Sequence, residues 1–292
     1  MPILILGGQG NLGTQLTKIF SQDYRVISWD KEDIDVLDFE LLKDKILELS
    51  PRLIINTVAF NAVDLCEEKE SFSLALRLNS ELPGVLADLA LKIGAVLVHY
   101  STDYVFNGTE DKQFFLESET PNPINKYGES KFLGEIELKK REKRGLNYYL
   151  IRTSKLFGPP GQSLGAKPNF FEIMSFLASE NKDLTVVNEE LSCFTYTPDL
   201  AAATKRLWEL KVPFGDYHLV NENPCTWYEA LLEFFNNQKI KVNIRAVRSE
   251  DLLRAARRPK FSVLKNSKLK KLRPFNQALL DYLEYLKNNK VK

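Results

Sequence analysis

"PILILGGQGNLG", residues 2–13, decides how this chain is read. Its apolar run is long enough for a buried strand and too short for a helix. Gly7, Gly10 and Gly13 follow at the spacing GxxGxxG, before an amphipathic stretch begins. Glycines between a strand and a helix permit a tight turn and a close approach of backbone to a pyrophosphate. The phosphates then meet the N–H groups and positive dipole end of the helix, here at Asn11 and Leu12. RVISWD (25–30) supplies a second strand that ends in Asp30. A carboxylate there accepts hydrogen bonds from the ribose hydroxyls of NAD and repels the additional phosphate of NADP. Lys31 pulls the other way, so NADH and NADPH both stay open.

Outward from this turn, short apolar runs at 3–6, 25–29, 53–59, 95–101 and 148–153 alternate with amphipathic stretches at 11–21, 39–49 and 71–93. Such alternation predicts βαβ units: a Rossmann-type, doubly wound parallel sheet with helices on both faces. After residue 155 the pattern loosens into a Gly/Pro-rich loop, GPPGQSLGAKP (158–168). Helix-like stretches at 170–179, 199–210 and 227–236 follow, with a candidate strand at 184–187. The expected division is a dinucleotide-binding domain over 1–155 and a smaller mixed α/β lobe over 156–292 that binds substrate, some of its segments returning to the first domain. Forty basic against 39 acidic side chains leave a formal charge of +1, which gives no field for nucleic acid or an anionic membrane. Three scattered cysteines and two histidines without CxxC spacing fit reduced cytoplasm and give a metal site no support. No apolar run is long enough to span a bilayer.

The chemistry-bearing stretch is KYGESKFLGE (126–135). Tyr127 and Lys131 are four apart, so a helix projects both to one side. Upstream, HYSTDYVF (99–106) runs a strand into Ser101 and Thr102 at its C-terminal end, where open α/β sheets bind ligands. An ammonium beside a phenol stabilises the phenolate and is expected to lower the phenol's pKa, so that Tyr127 protonates a carbonyl while Lys131 supplies the charge. Thr102 would share the substrate oxygen. A dinucleotide site beside such a proton donor implies hydride transfer.

These features resemble the extended short-chain dehydrogenase/reductase superfamily. Six segments narrow the resemblance: NTVAFNAVDLCEEKE (56–70), HYSTDYVFNGT (99–109), PINKYGESKFLGE (123–135), RTSKLFG (152–158), YHLVNENPCTWYEAL (217–231) and RRPKFSVLKNSKL (257–269). In order and spacing they are similar to the dTDP-4-dehydrorhamnose reductases over nearly the whole chain. The resemblance implies reduction of the C4 keto group of a nucleotide-linked 6-deoxyhexose by NADPH or NADH, with Lys131 also holding the nicotinamide ribose. It further implies Asp35 and Val36 beside the adenine, and Val58, Ala59, Phe60, Tyr100 and Ser101 along the cofactor. Asp103, Tyr104, Phe106, Lys155, Asn169 and Arg258 would join Thr102 and Tyr127 around the sugar nucleotide. For Asn169 a helix N-cap is an equal reading, and for Arg258 a solvated basic face is the default one.

Departures from the family pattern concentrate away from the glycine turn and the Tyr/Lys pair. Lys155 replaces the tryptophan of RTSW, and in NEELSCFT (188–195) Glu190, Ser192 and Phe194 replace a glutamine, a glycine and a proline. Leu65 replaces a lysine. Two other functions remain open at this level: a non-catalytic subunit like the β subunit of methionine adenosyltransferase, which resembles the same group, and a nucleotide-sugar epimerase or dehydratase. Monomer and homodimer are equally compatible with the sequence.

Overall fold

The computed structural model describes residues 1–108, 113–163, 165–180 and 183–289. In chain order the elements are β1 (Ile3–Leu6), α1 (Asn11–Phe20), β2 (Val26–Trp29), α2 (Phe39–Leu49), β3 (Leu53–Asn56), α3 (Lys69–Leu76), α4 (Leu82–Ile93), β4 (Val96–Thr102) and α5 (Lys126–Glu142). Then come β5 (Tyr148–Thr153), β6 (Leu156–Phe157), α6 (Phe170–Glu180), β7 (Asp183–Val187), β8 (Thr195–Tyr196), α7 (Thr197–Glu209), β9 (Gly215–His218), α8 (Trp227–Gln238), β10 (Asn243–Val247) and α9 (Phe275–Asn288). None of these helices is long and apolar enough to cross a membrane.

A parallel six-stranded sheet in the order β2-β1-β3-β4-β5-β9 forms the centre. Because successive strand side chains point to opposite faces, the apolar runs feed two cores. Leu4, Leu6, Ile54, Leu97 and Leu150 face α2 and α4, whereas Ile3, Ile5, Ile55, Val98 and Ile151 face α1 and α7. Full burial of each such side chain stabilises by roughly 1.5–3 kcal/mol, which holds strands of only four residues in register. The chain reverses its direction of strand addition between β1 and β3, so the glycine turn after β1 opens into the crevice where such sheets bind ligands.

Beyond position 155 the chain contributes β9 to this sheet and α7 to its flank. The remainder packs around an aromatic cluster in which Phe157, Phe171, Phe194, Phe234, Phe275 and Tyr282 are buried between α6, α8, α9 and two short parallel strand pairs. The stretch 71–93, expected as one helix, is broken at Arg77–Glu81 by a wider π-turn between α3 and α4. That turn carries Asn79 inward, fully buried, where its amide bonds both the N–H and the carbonyl of Phe60 at 2.9 Å. Of the Gly/Pro-rich loop, residue 164 lies outside the described residues.

Helix α5 is seated against this turn through Gly134, where an added Cβ would stand 2.1 Å from the Asn79 carbonyl oxygen. Backbone cannot yield there as a flexible side chain would. Gly134→Ala is expected to destabilise the chain by about 1–3 kcal/mol. Urea denaturation reads the difference, and an unchanged midpoint would show that α5 is free to shift.

Candidate active site

Position 127 is the second residue of α5, whose first turn is fixed by Asn125: its side-chain oxygen accepts the Gly128 N–H at 2.8 Å. One turn later Lys131, 2% exposed, donates from Nζ to the Tyr100 carbonyl at 2.6 Å. Thr102 ends β4, two residues on, and its hydroxyl acts to lower the pKa of the Tyr127 phenol. All three side chains lie along the C-terminal end of β4: Lys131 on the Tyr100 carbonyl, Thr102 at the last strand position, and Tyr127 against Tyr104 just beyond it. Tyr104 stands edge-on to Tyr127, with ring centroids 5.9 Å apart.

Electrostatics here differ from the expectation. Burial pushes the Tyr127 phenol up, with Thr102 opposing and Asp103 reinforcing the shift. Burial also brings Lys131 down to about 8, with Glu135 acting against it. Lys131 is thus not what sets the phenol's acidity in this arrangement, because both groups are desolvated together and the ammonium is held by a carbonyl. The consequence is a phenol that is fully protonated near neutral pH and loaded as a donor.

The glycine turn fits a dinucleotide phosphate. Gly7 has φ 73°, and a Cβ on Gly13 would lie 2.0 Å from the Gly7 carbonyl oxygen. Helix α1 opens at Asn11, Leu12 and Gly13 with no side-chain cap, leaving backbone N–H groups for an anion. Asp30 accepts the Gln9 N–H at 3.0 Å and the Lys31 N–H at 2.9 Å, tying the turn to the end of β2. Asp35 accepts the Leu37 N–H at 2.9 Å, with Val36 half-buried behind it. Val58, Ala59 and Phe60 follow β3, and the Val58 N–H is held by Asn56 at 3.1 Å. Part of the Gly/Pro-rich loop lies over the turn: Gln162 and Ser163 donate to the Gln9 carbonyl at 2.7 and 3.0 Å, and Gly161 donates to the Asn11 side chain at 2.8 Å. Sequence spacing had no signal for that contact.

Other expected residues divide. Tyr100 sends its ring into the core and its hydroxyl to Thr204 at 2.7 Å, leaving the carbonyl for Lys131. Ser101 donates to Glu135 at 2.6 Å. Asp103 is 2% exposed and accepts from Thr102 at 3.1 Å and from Ser262, of RRPKFS, at 2.5 Å. Phe106 corrects the expectation: it is 1% exposed and stacks on Phe115 at 4.4 Å, because it belongs to a buried cluster rather than the cleft. Asn169 likewise acts as the helix cap, accepting from Phe171 N at 2.9 Å and donating to Gly158 and Tyr282, so its amide has nothing left for a substrate. Arg258 forks onto Asp64 at 2.6 and 2.9 Å, occupying the geometry that a diphosphate would need.

Lys155 has φ 40°, a strained backbone for a side-chain-bearing residue. Its ammonium lies 4.2 Å over the Trp227 ring and 4.8 Å over Phe194, and donates to the Glu190 carbonyl at 2.8 Å. Burial brings it down to about 8 while Asp103 acts the other way. No group of three or more His, Cys, Asp or Glu side chains among the described residues is arranged to hold a metal ion.

The family described as the RmlD substrate binding domain matches residues 1–288. The spore coat polysaccharide biosynthesis protein SpsK of Bacillus subtilis (strain 168) is 32% identical over 287 residues, covering 97% of this chain and 96% of that one. The dTDP-4-dehydrorhamnose reductase of Escherichia coli (strain K12) is 31% identical over 92% of this chain and 90% of its own. Among solved structures, the dTDP-4-dehydrorhamnose reductase of Clostridium acetobutylicum ATCC 824 superposes with TM-score 0.90 at 32% identity, covering 98% of this chain and all of that one. The Bacillus anthracis str. Ames dTDP-4-dehydrorhamnose reductase, solved in complex with NADP, gives TM-score 0.89 at 30% identity over 98% of this chain and 100% of its own. With its parallel sheet, glycine turn and gathered Thr102, Tyr127 and Lys131, the chain belongs to the RmlD substrate binding domain family, that of the dTDP-4-dehydrorhamnose reductases.

Proposed function

We propose that this chain reduces the C4 keto group of a nucleotide-linked 6-deoxyhexose, converting dTDP-4-dehydro-L-rhamnose to dTDP-L-rhamnose. The observation that supports the reading is that Lys131 bonds the Tyr100 carbonyl, Thr102 ends β4 and Tyr127 packs against Tyr104, all at the C-terminal end of that strand. NADPH or NADH, held by Gly7, Gly10, Gly13, Asn11 and Leu12 at its phosphates and by Asp30 at its adenosine ribose, supplies the hydride. Tyr127 delivers its proton to the carbonyl oxygen, and Thr102, turning its hydroxyl from Asp103, donates a second hydrogen bond to that oxygen as charge develops. Lys131 then faces a phenolate rather than a phenol, so its positive charge is worth most once the proton has left. Tyr104 and Lys155 line the sugar side, and Arg258 turns from Asp64 to the diphosphate. The three cysteines are free, which suits the cytoplasm, where we place the reaction. A homodimer is compatible with this site, since every reacting side chain comes from one chain.

Purified chain should oxidise NADPH or NADH only when a 4-keto-6-deoxyhexose nucleotide is added. Tyr127→Phe should lower kcat by roughly 10²–10⁴-fold while cofactor affinity stays near wild type. Full turnover by the Phe variant would sink the mechanism. Absence of any keto-sugar reduction, with an adenosyltransferase copurifying, would instead mark a regulatory subunit.

The pH dependence follows from Lys131, whose charged form predominates below about 8 and is lost as pH rises through that value. The pH profile of kcat/KM should therefore fall on the alkaline side near 8, and a flat profile beyond pH 9 would remove Lys131's charge from the mechanism. Lys155 touches neither Tyr127 nor Thr102 in the structure, so Lys155→Trp should act on sugar binding. KM for the sugar nucleotide is expected to change by about tenfold with kcat nearly constant. A large loss in kcat would instead place Lys155 at the reacting carbon.

A further inference from the structure

Glu135 stands to Lys131 as Lys131 stands to Tyr127, four residues further along α5, so the three side chains follow one side of the helix. It is fully buried and every lone pair in use is accounted for. Oε1 accepts from Ser101 at 2.6 Å and from Arg152 Nε at 2.9 Å, while Oε2 accepts from Arg152 Nη2 at 2.7 Å. Arg152 is itself fully buried and is the register partner of Ser101 across the β4–β5 ladder. Its Nη1 donates to the Glu117 carbonyl at 3.2 Å beside His218. A buried ion pair gains little stability over apolar packing of the same volume, so stability alone is a weak reason for its presence. Its location suggests a better one. Ser101, the residue that Glu135 grips, lies between Tyr100, which receives Lys131, and Thr102, which acts on Tyr127.

We propose that Glu135 is a positioning residue for the reduction: through Ser101 it fixes the Tyr100–Thr102 segment against α5, and it holds a negative charge one turn from the Lys131 ammonium. The inference rests on the reaction assigned above. Glu135 raises the pKa of Lys131, Lys131 lowers that of the His99 imidazole on β4, and the Tyr127 phenol lies one turn before Lys131 on α5. His99 is buried and held neutral, its pKa driven well down by desolvation and by Lys131 itself. Arg152, with Asp216 and Glu117 behind it, faces Glu135 from β5, and α4 meets α5 through Asp88 at Arg141, beyond Glu135. Glu135 is thus the group that opposes the desolvation of Lys131.

Two variants separate positioning from mere packing. Ser101→Ala cuts the link to β4 and leaves the ion pair intact; kcat should fall roughly ten- to a hundredfold, with the sugar nucleotide KM little changed. Glu135→Gln keeps the shape and removes the charge, so the alkaline limb of kcat/KM should move to lower pH by about one unit. If Arg152, left without its partner, prevents folding of that variant, Glu135→Gln combined with Arg152→Met strands no charge and carries the same measurement. The titration of Lys131 Nζ, followed by NMR without substrate, should shift in the same direction. An unmoved limb and an unmoved NMR titration, or full-rate turnover by Ser101→Ala, would overturn the proposal. A shifted NMR titration in a chain whose wild type reduces no keto sugar would overturn the assigned reaction and leave Glu135's hold on Lys131 standing.

Discussion

A lysine ammonium pressed against a strand carbonyl at 2.6 Å, in a place that water does not reach, is the contact on which the rest of the site depends. It requires α5 to lie close along β4, and that closeness is obtained by removing side chains rather than by adding them. Gly134 lets the helix backbone meet the Asn79 carbonyl, and Gly128 lets it meet that of Tyr104. Burial then makes each polar group in the seam costly unless it has a partner. The partners are present in sequence: Asn79 to Ser130 at 2.9 Å, Ser130 to the Tyr127 carbonyl at 2.7 Å, Ser101 to Glu135, and Glu135 to Arg152. The same desolvation that makes the seam rigid raises the phenol and lowers the ammonium, so a single physical cause sets both the geometry and the protonation states.

What could be read from sequence was what local periodicity encodes. The alternation of apolar runs with helical spacing suffices for the parallel sheet, and Tyr127 with Lys131 suffices for one side of a helix. Partners separated by tens of residues leave no local trace. Asn79 sits in an ordinary amphipathic stretch, and only the π-turn, which no propensity marks, rotates it into the seam. Strand β9, GDYH, is too short and too polar to register as a run, yet it completes the sheet because β5 presents an unpaired edge to it. Phe106 shows the converse error, and at Asn169 it is the N-cap reading that holds. Each occupies a motif position near the site, but stacking on Phe115 and capping of α6 take up the whole of its side chain. The acidity of Tyr127 is not legible in a Tyr/Lys spacing, which says nothing about how dry the two groups are.

The side chains at positions 155 and 190, where the sequence departs from the family pattern, share one set of surroundings. A lysine in place of tryptophan on a dry wall would be an uncompensated charge, and its positive-φ backbone shows that the position is held under strain. The charge is met by the faces of Trp227 and Phe194 and by the backbone carbonyl of Glu190. The Glu190 carboxylate, in turn, would be stranded at 3% exposure without Arg254, Ser249 Oγ at 2.5 Å and the Trp227 indole N–H at 3.1 Å. Reverting either position alone would leave the other charge without part of its surroundings. Among the described residues this network shares no hydrogen bond with Thr102 or Lys131, while the Asp103 carboxylate acts electrostatically on both Lys155 and Tyr127. Substitution at 155 or 190 is therefore expected to leave the hydrogen bonds of Thr102 and Lys131 in place.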